Sequence, residues 1–246
     1  MTCFRPRILI EMPAARLERH GSMQQLLLEL APPPPPTLDN FSPGENGAAL
    51  KALREALEDG ERFVFLWGQS GSGKTHLLRA FAEAAGAKGR AAYVQAAGAD
   101  WAGTGNLAAV AVDEVSRLDD SGQIALFDLC NRLRVSGGAL AASGEAPPAR
   151  LALRADLRSR LASGIVLQLH PLSDADKAAA LRGHAAARGV ALDGELIRYL
   201  LTHFDRDMGT QIAALDALDR YSLQRKRPIT LPLLKEALGL LDAAKR

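Results

Sequence analysis

The chain has 246 residues, of which 48% are apolar and 24% charged, which excludes wholesale disorder. Its 30 Lys and Arg against 28 Asp and Glu leave a net charge of +2, too little for a protein that coats nucleic acid through charge alone. Two cysteines, Cys3 and Cys130, give no disulfide framework, and no run approaches the roughly 20 apolar residues of a membrane span, so a cytoplasmic protein with a mostly aliphatic core is expected.

Residues 1–22 scatter Arg5, Arg7, Arg16 and Arg19 among short apolar pieces and lack the central apolar run of a secretory signal. A second methionine, Met23, opens a segment of different character. Two readings stand: an upstream extension preceding a working start at Met23, or a genuine arm. Gln25–Leu30 forms an apolar hexamer, and residues 32–36 are five prolines. Each proline fixes φ and lacks an N–H donor, so the run makes a polyproline II spacer of about 3 Å per residue. A hexamer on such a stalk reads as a peptide ligand, with an edge strand as the other reading.

The apolar run 62–67 reads as a buried strand. Gly68-Gln69-Ser70-Gly71-Ser72-Gly73-Lys74-Thr75 follows, and then a helical pattern through Leu77, Leu78 and Phe81. This is the phosphate-loop pattern GxxxxGK[ST] between a strand and a helix. Glycines let backbone N–H groups curl around phosphates, and the helix N-terminus adds its positive end. Lys74 can reach the β- and γ-phosphates, and Thr75 can offer its hydroxyl to Mg²⁺. A second apolar strand, 107–112, runs into Asp113 and Glu114. There Asp113 would hold Mg²⁺ through water and Glu114 would polarise an attacking water. Together the two motifs predict binding of ADP or ATP with Mg²⁺.

A third strand, Ala139–Ala142, ends at Ser143, which either senses the γ-phosphate or hydrogen-bonds its own turn. Residues 153–161 form a helical stretch bearing Arg154, Arg158 and Arg160. From Ser173 onward the pattern is helical: 174–188 with Ser173 and Asp174 capping it and Gly189 ending it, then 193–204, 208–224 and 231–242, the last capped by Thr230. The expected architecture is therefore an α/β phosphate-loop base with a parallel sheet at 37–170 and a small all-helical lid at 171–246.

This succession of phosphate loop, Asp-Glu strand, polar strand end, arginine helix and helical lid resembles an AAA+ ATPase, and within that superfamily the DnaA group. Thr37-Leu38-Asp39-Asn40-Phe41-Ser42-Pro43-Gly44-Glu45-Asn46 is similar to the segment that opens the DnaA ATPase module. The resemblance implies that Phe41, Asn46 and His76 border the nucleotide. Trp67-Gly68 and Leu157–Leu161 around Arg160 match as well. DnaA continues into a helix-turn-helix module, whereas the sequence here reaches Arg246 just past the lid, which is the arrangement of the Hda family, regulatory inactivators of DnaA. Hda proteins begin with a sliding-clamp-binding motif, and Gln25, Leu26, Leu28 and Leu30 match its pattern. The resemblance implies that the protein, tethered to the DNA polymerase III β clamp on DNA, promotes hydrolysis of DnaA-bound ATP. Arg160 would supply the arginine in trans; the other reading for it is an intramolecular ion pair. Contact with DNA would run through the clamp, no membrane is involved, and self-association is allowed for. One departure stands out: Gly209 occupies the lid position at which the family usually carries an arginine, which weakens nucleotide contact from the lid or shifts it to Arg206.

Two rival readings come from other functional classes. An AAA+ ATPase or loader-like protein would act through its own turnover, dependent on Glu114. A DNA-binding initiator paralogue would need a basic stripe, for which Arg225-Lys226-Arg227 is the candidate; a solvated helix end is its other reading. The five histidines show no metal-ligand spacing.

Overall fold

The computed structural model describes residues 35–243 apart from 59, 105–106 and 205–207. The N-terminal extension, the hexamer with Gln25, Leu26, Leu28 and Leu30, the prolines 32–34 and Arg206 lie outside the described residues.

Five strands, β1 Phe63–Gly68, β2 Ala91–Gln95, β3 Ala109–Asp113, β4 Ala139–Gly144 and β5 Ile165–Leu169, form one sheet in the order β2-β3-β4-β1-β5. All its pairings are parallel. A parallel strand must return to its starting edge through a crossover, and helices provide it here. Helices α1 Gly47–Ala56 and α2 Lys74–Lys88 cover one face, and α3 Asp120–Ser136 and α4 Ala155–Ala162 cover the other.

That double covering explains why the central strands are apolar without alternation. In β1, Phe63 and Phe65 enter the core beneath α3 and α4, while Val64 and Leu66 enter the core beneath α1 and α2. In β3, Val110 and Val112 face the first core, and Ala109 and Ala111 the second. Small residues on the α2 side let that helix pack close to the sheet.

The sequence reading passes over β2 and β5, so the strand ending in Ser143 is the fourth and not the third. It also runs on through Ser143 to Gly144. Strand β5 hydrogen-bonds β1 at the far side from β4.

Beyond β5 the described residues are helical: α5 Asp174–Ala186, α6 Gly194–His203, α7 Met208–Arg225 and α8 Leu231–Ala243. Their facing stripes build a third core from Leu181, Leu196, Leu200, Leu215, Leu218, Leu233 and Leu234. The starts are set by side-chain acceptors. Ser173 Oγ takes the Asp176 N–H at 3.1 Å, Asp193 takes that of Glu195 at 3.4 Å, and Thr230 Oγ1 that of Leu233 at 3.4 Å. Helix α5 ends at Ala186, and Gly189 takes a left-handed turn (φ +73°) just beyond it. Among the described residues, no helix is long and apolar enough to cross a membrane.

Candidate nucleotide site

In an open parallel sheet, ligands bind outside the carboxyl ends of the strands. The strand order makes this edge specific, because β1, β4 and β3 are neighbours whose ends carry the phosphate loop, Ser143 and Asp113 respectively.

The loop 68–75 leaves β1 and runs directly into α2. Gly68 needs its missing side chain, since a Cβ there would sit 2.3 Å from the Leu169 carbonyl oxygen of the neighbouring strand. Gly73 has φ +94°, and a Cβ would meet the Phe41 ring at 2.8 Å. The segment 37–46 therefore lies against the loop: Phe41 packs on Gly73 and its ring centroid is 5.4 Å from that of His76. His76 Nε2 is 3.1 Å from the Thr37 carbonyl oxygen. Gly71 and Thr75 are exposed, while Ser72 is buried.

Lys74 donates to the Gly68 and Gln69 carbonyls at 2.7 and 2.8 Å, which folds its ammonium back over the loop. Burial lowers its pKa from the usual lysine value, while Asp113, Glu114 and Glu145 nearby pull it upward. The Ser72 hydroxyl is 4% exposed as a residue and its oxygen has no hydrogen-bond partner. A buried polar atom without a partner is rare and favours any ligand that supplies one. An orphaned hydroxyl, a lysine ammonium and a helix N-terminus at one loop suit a phosphate group.

Asp113 is the polar centre of this edge. It is only 2% exposed, and its carboxylate accepts from three hydroxyls. Thr75 Oγ1 donates to Oδ2 at 2.7 Å, the Tyr93 hydroxyl donates to the same oxygen at 2.9 Å, and Ser143 Oγ donates to Oδ1 at 2.5 Å. A buried carboxylate needs such compensation. Because the Thr75 proton points at Asp113, the lone pairs of its oxygen remain for a cation, so Thr75 and Asp113 fit Mg²⁺ beside a phosphate. Tyr93 was not singled out in the sequence. Its phenol is pushed up to about 12, first by burial and then by the charge of Asp113.

Ser143 bonds the end of β3 and not its own turn. It donates to Asp113 and also accepts the Glu114 N–H at 3.0 Å. Glu114 holds a left-handed backbone (φ +57°), uncommon for a residue with a side chain, and its carboxylate meets Arg117 at 3.2 Å.

Other predicted residues lie apart. A cavity of about 330 Å³ is lined by 39–44 together with Leu172, Asp176 and Ala180 of the lid, and so includes Phe41. Asn46 is absent from that lining: its amide donates to the His170 carbonyl and accepts the His170 N–H, both at 2.8 Å, tying the segment to the end of β5. Arg160 sits on α4 with its guanidinium 5.7 Å from the Phe127 ring centroid on α3, the two helices covering the sheet face opposite α2. No ion pair holds it among the described residues, which counts against the intramolecular reading. The basic triplet is partly engaged within the lid. Arg227 pairs with Glu236 at 2.7 Å, and Arg225 lies over the Tyr221 ring.

Comparison with known proteins extends the geometry. Residues 174–238, the lid helices, match the family described as Hda, lid domain. A replication initiator DnaA bound to AMPPCP and single-stranded DNA is 26% identical over 78% of this chain and 69% of its own, with a TM-score of 0.62. Domain III of the Thermotoga maritima initiator DnaA is 22% identical, covering 86% of this chain and 98% of its own, with a TM-score of 0.62. The Thermotoga maritima Holliday junction branch-migration motor RuvB shares the fold at 20% identity, over 84% of this chain and 72% of its own, with a TM-score of 0.58.

Proposed function

Given that this chain is a DnaA-related AAA+ protein with an Hda-type lid, we propose that it is a negative regulator of replication initiation. Tethered to the DNA-loaded sliding clamp, it promotes hydrolysis of the ATP bound to DnaA and leaves the inactive ADP form. It works in the cytoplasm, with DNA reached through the clamp. The observation that carries this reading is the match of 174–238 to the Hda lid on a DnaA-like base.

The chain's own site binds ADP or ATP. The backbone of 68–75 with Lys74 holds the phosphates, Thr75 and Asp113 hold Mg²⁺, and Phe41 and His76 close the side toward the base cavity. Bound Mg²⁺ would neutralise phosphate charge. Glu114 has the chemistry of a general base, and its carboxylate meets Arg117 at 3.2 Å. Arg160 fits action on a neighbour: it is a planar, permanently charged group without a carboxylate partner among the described residues. Such an arginine stabilises the charge that develops on the transferred phosphoryl group. Gln25, Leu26, Leu28 and Leu30 supply the clamp anchor, and six residues predict affinity of micromolar order.

The test is reconstitution with loaded clamp and DnaA-ATP. Wild type accelerates hydrolysis on DnaA. The variant with Gln25→Ala and Leu28→Ala loses clamp binding and most of the acceleration, and Arg160→Ala keeps clamp binding but loses the acceleration. A wild type that ignores the clamp yet hydrolyses ATP in a Glu114-dependent way makes the protein an ATPase acting through its own turnover.

A further inference from the structure

We infer that Tyr93 is a positioning residue for the magnesium half of the nucleotide site, acting through Asp113; the inference rests on the nucleotide-binding reading above. Of the three hydroxyls on Asp113, those of Thr75 and Ser143 come from elements that a phosphate-loop site already uses. The third arrives from β2, one of the two edge strands, whose residues Ala91, Ala92 and Tyr93 are only half-buried. Register explains how it reaches. Tyr93 lies opposite Ala111 in β3, two residues before Asp113, and an even spacing keeps both side chains on the face covered by α2.

The phenol is held at its hydroxyl and over its ring face. Its hydroxyl donates to Asp113 Oδ2, and the Arg79 guanidinium lies 5.1 Å from its ring centroid. Arg79 is on α2 one turn after Thr75, so the helix that presents the threonine also braces the tyrosine. The oxygen that Tyr93 holds is the one that receives the Thr75 proton. Fixing Oδ2 therefore fixes the direction of the Thr75 O–H bond, and with it where the threonine lone pairs point. Without the phenol, Oδ2 keeps a single donor, Thr75, and the carboxylate is held in place only by Thr75 and, through Oδ1, by Ser143. Such outer partners of metal ligands typically contribute about tenfold or more to metal affinity.

The experiment measures ADP binding to the full chain by calorimetry, in EDTA and across a magnesium titration. Tyr93→Phe keeps the ring beneath the Arg79 guanidinium and removes the hydroxyl, with its hydrogen bonds to Asp113 and Arg79. In EDTA its ADP affinity stays within about twofold of wild type, while the magnesium concentration giving half of the affinity gain rises about tenfold. Arg79→Ala, at an exposed site, shifts the magnesium dependence in the same direction by less. An unchanged magnesium titration in Tyr93→Phe overturns the inference, since the hydroxyl would then only seal a buried carboxylate. An equal loss of ADP affinity in EDTA also overturns it, assigning Tyr93 to the fold. A wild type that binds no ADP in either buffer brings down the nucleotide reading and this inference together.

Discussion

The base and the lid solve the same packing problem in different ways. In the base, strands buried on both faces carry uninterrupted apolar runs, and the polar groups Asp113, Ser143 and Ser72 cluster at one edge. The lid is a bundle of helical stripes rimmed by polar ties: Arg227 to Glu236, and His184 with Arg188 to Asp216. The sheet register places chemistry to within a hydrogen-bond length, whereas the lid supplies a surface and one wall of a cavity. The hydrogen-bonded polar cluster belongs to the sheet, and the match to the Hda lid family to the bundle.

The sharpest way to break that contrast is to hollow each core in turn. Phe65→Ala, at 1% exposure between the sheet and α3, loses about 3–5 kcal/mol in guanidinium unfolding and takes nucleotide binding with it. Leu218→Ala, fully buried in the lid, loses about 2–5 kcal/mol, but ADP still protects the loop 68–75 from hydrogen exchange. Equal loss of loop protection in both variants would merge the two regions into one unit.

A tie within the base, between the segment 37–46 and the end of β5, is tested by Asn46→Ala. Both His170 backbone groups lose their partner, which costs about 1–3 kcal/mol in urea unfolding and speeds amide exchange at His170. The smallest effect belongs to the lid rim. Arg227 holds the Glu236 carboxyl below its usual range through a hydrogen-bonded pair. A depressed carboxyl contributes above its unfolded pKa and loses that contribution as pH falls through its folded value. Arg227→Ala therefore barely lowers the thermal midpoint at neutral pH, and in acid the difference from wild type disappears.

The parts legible in the sequence were those whose chemistry dictates residue type locally. A phosphate loop needs glycine, lysine and a hydroxyl in fixed order, and a strand buried on both faces needs an apolar run, so β1 and β3 declare themselves. Strand β2 does not: Ala91-Ala92-Tyr93-Val94-Gln95 is a half-buried edge with small residues, and its tyrosine becomes meaningful only once register sets it beside Asp113. Asn46 illustrates the same limit. Its partner His170 lies 124 positions along the chain, beyond any local pattern.

The left-handed backbone of Glu114 carries a consequence for how this protein can change. A side chain in that region costs about 1–2 kcal/mol that glycine would not, so Glu114→Gly should raise the melting temperature while removing the carboxylate. Directed evolution for heat resistance alone would drift toward glycine or asparagine at position 114. A lineage that keeps glutamate there is under selection for the carboxylate itself, whose observed partner is Arg117.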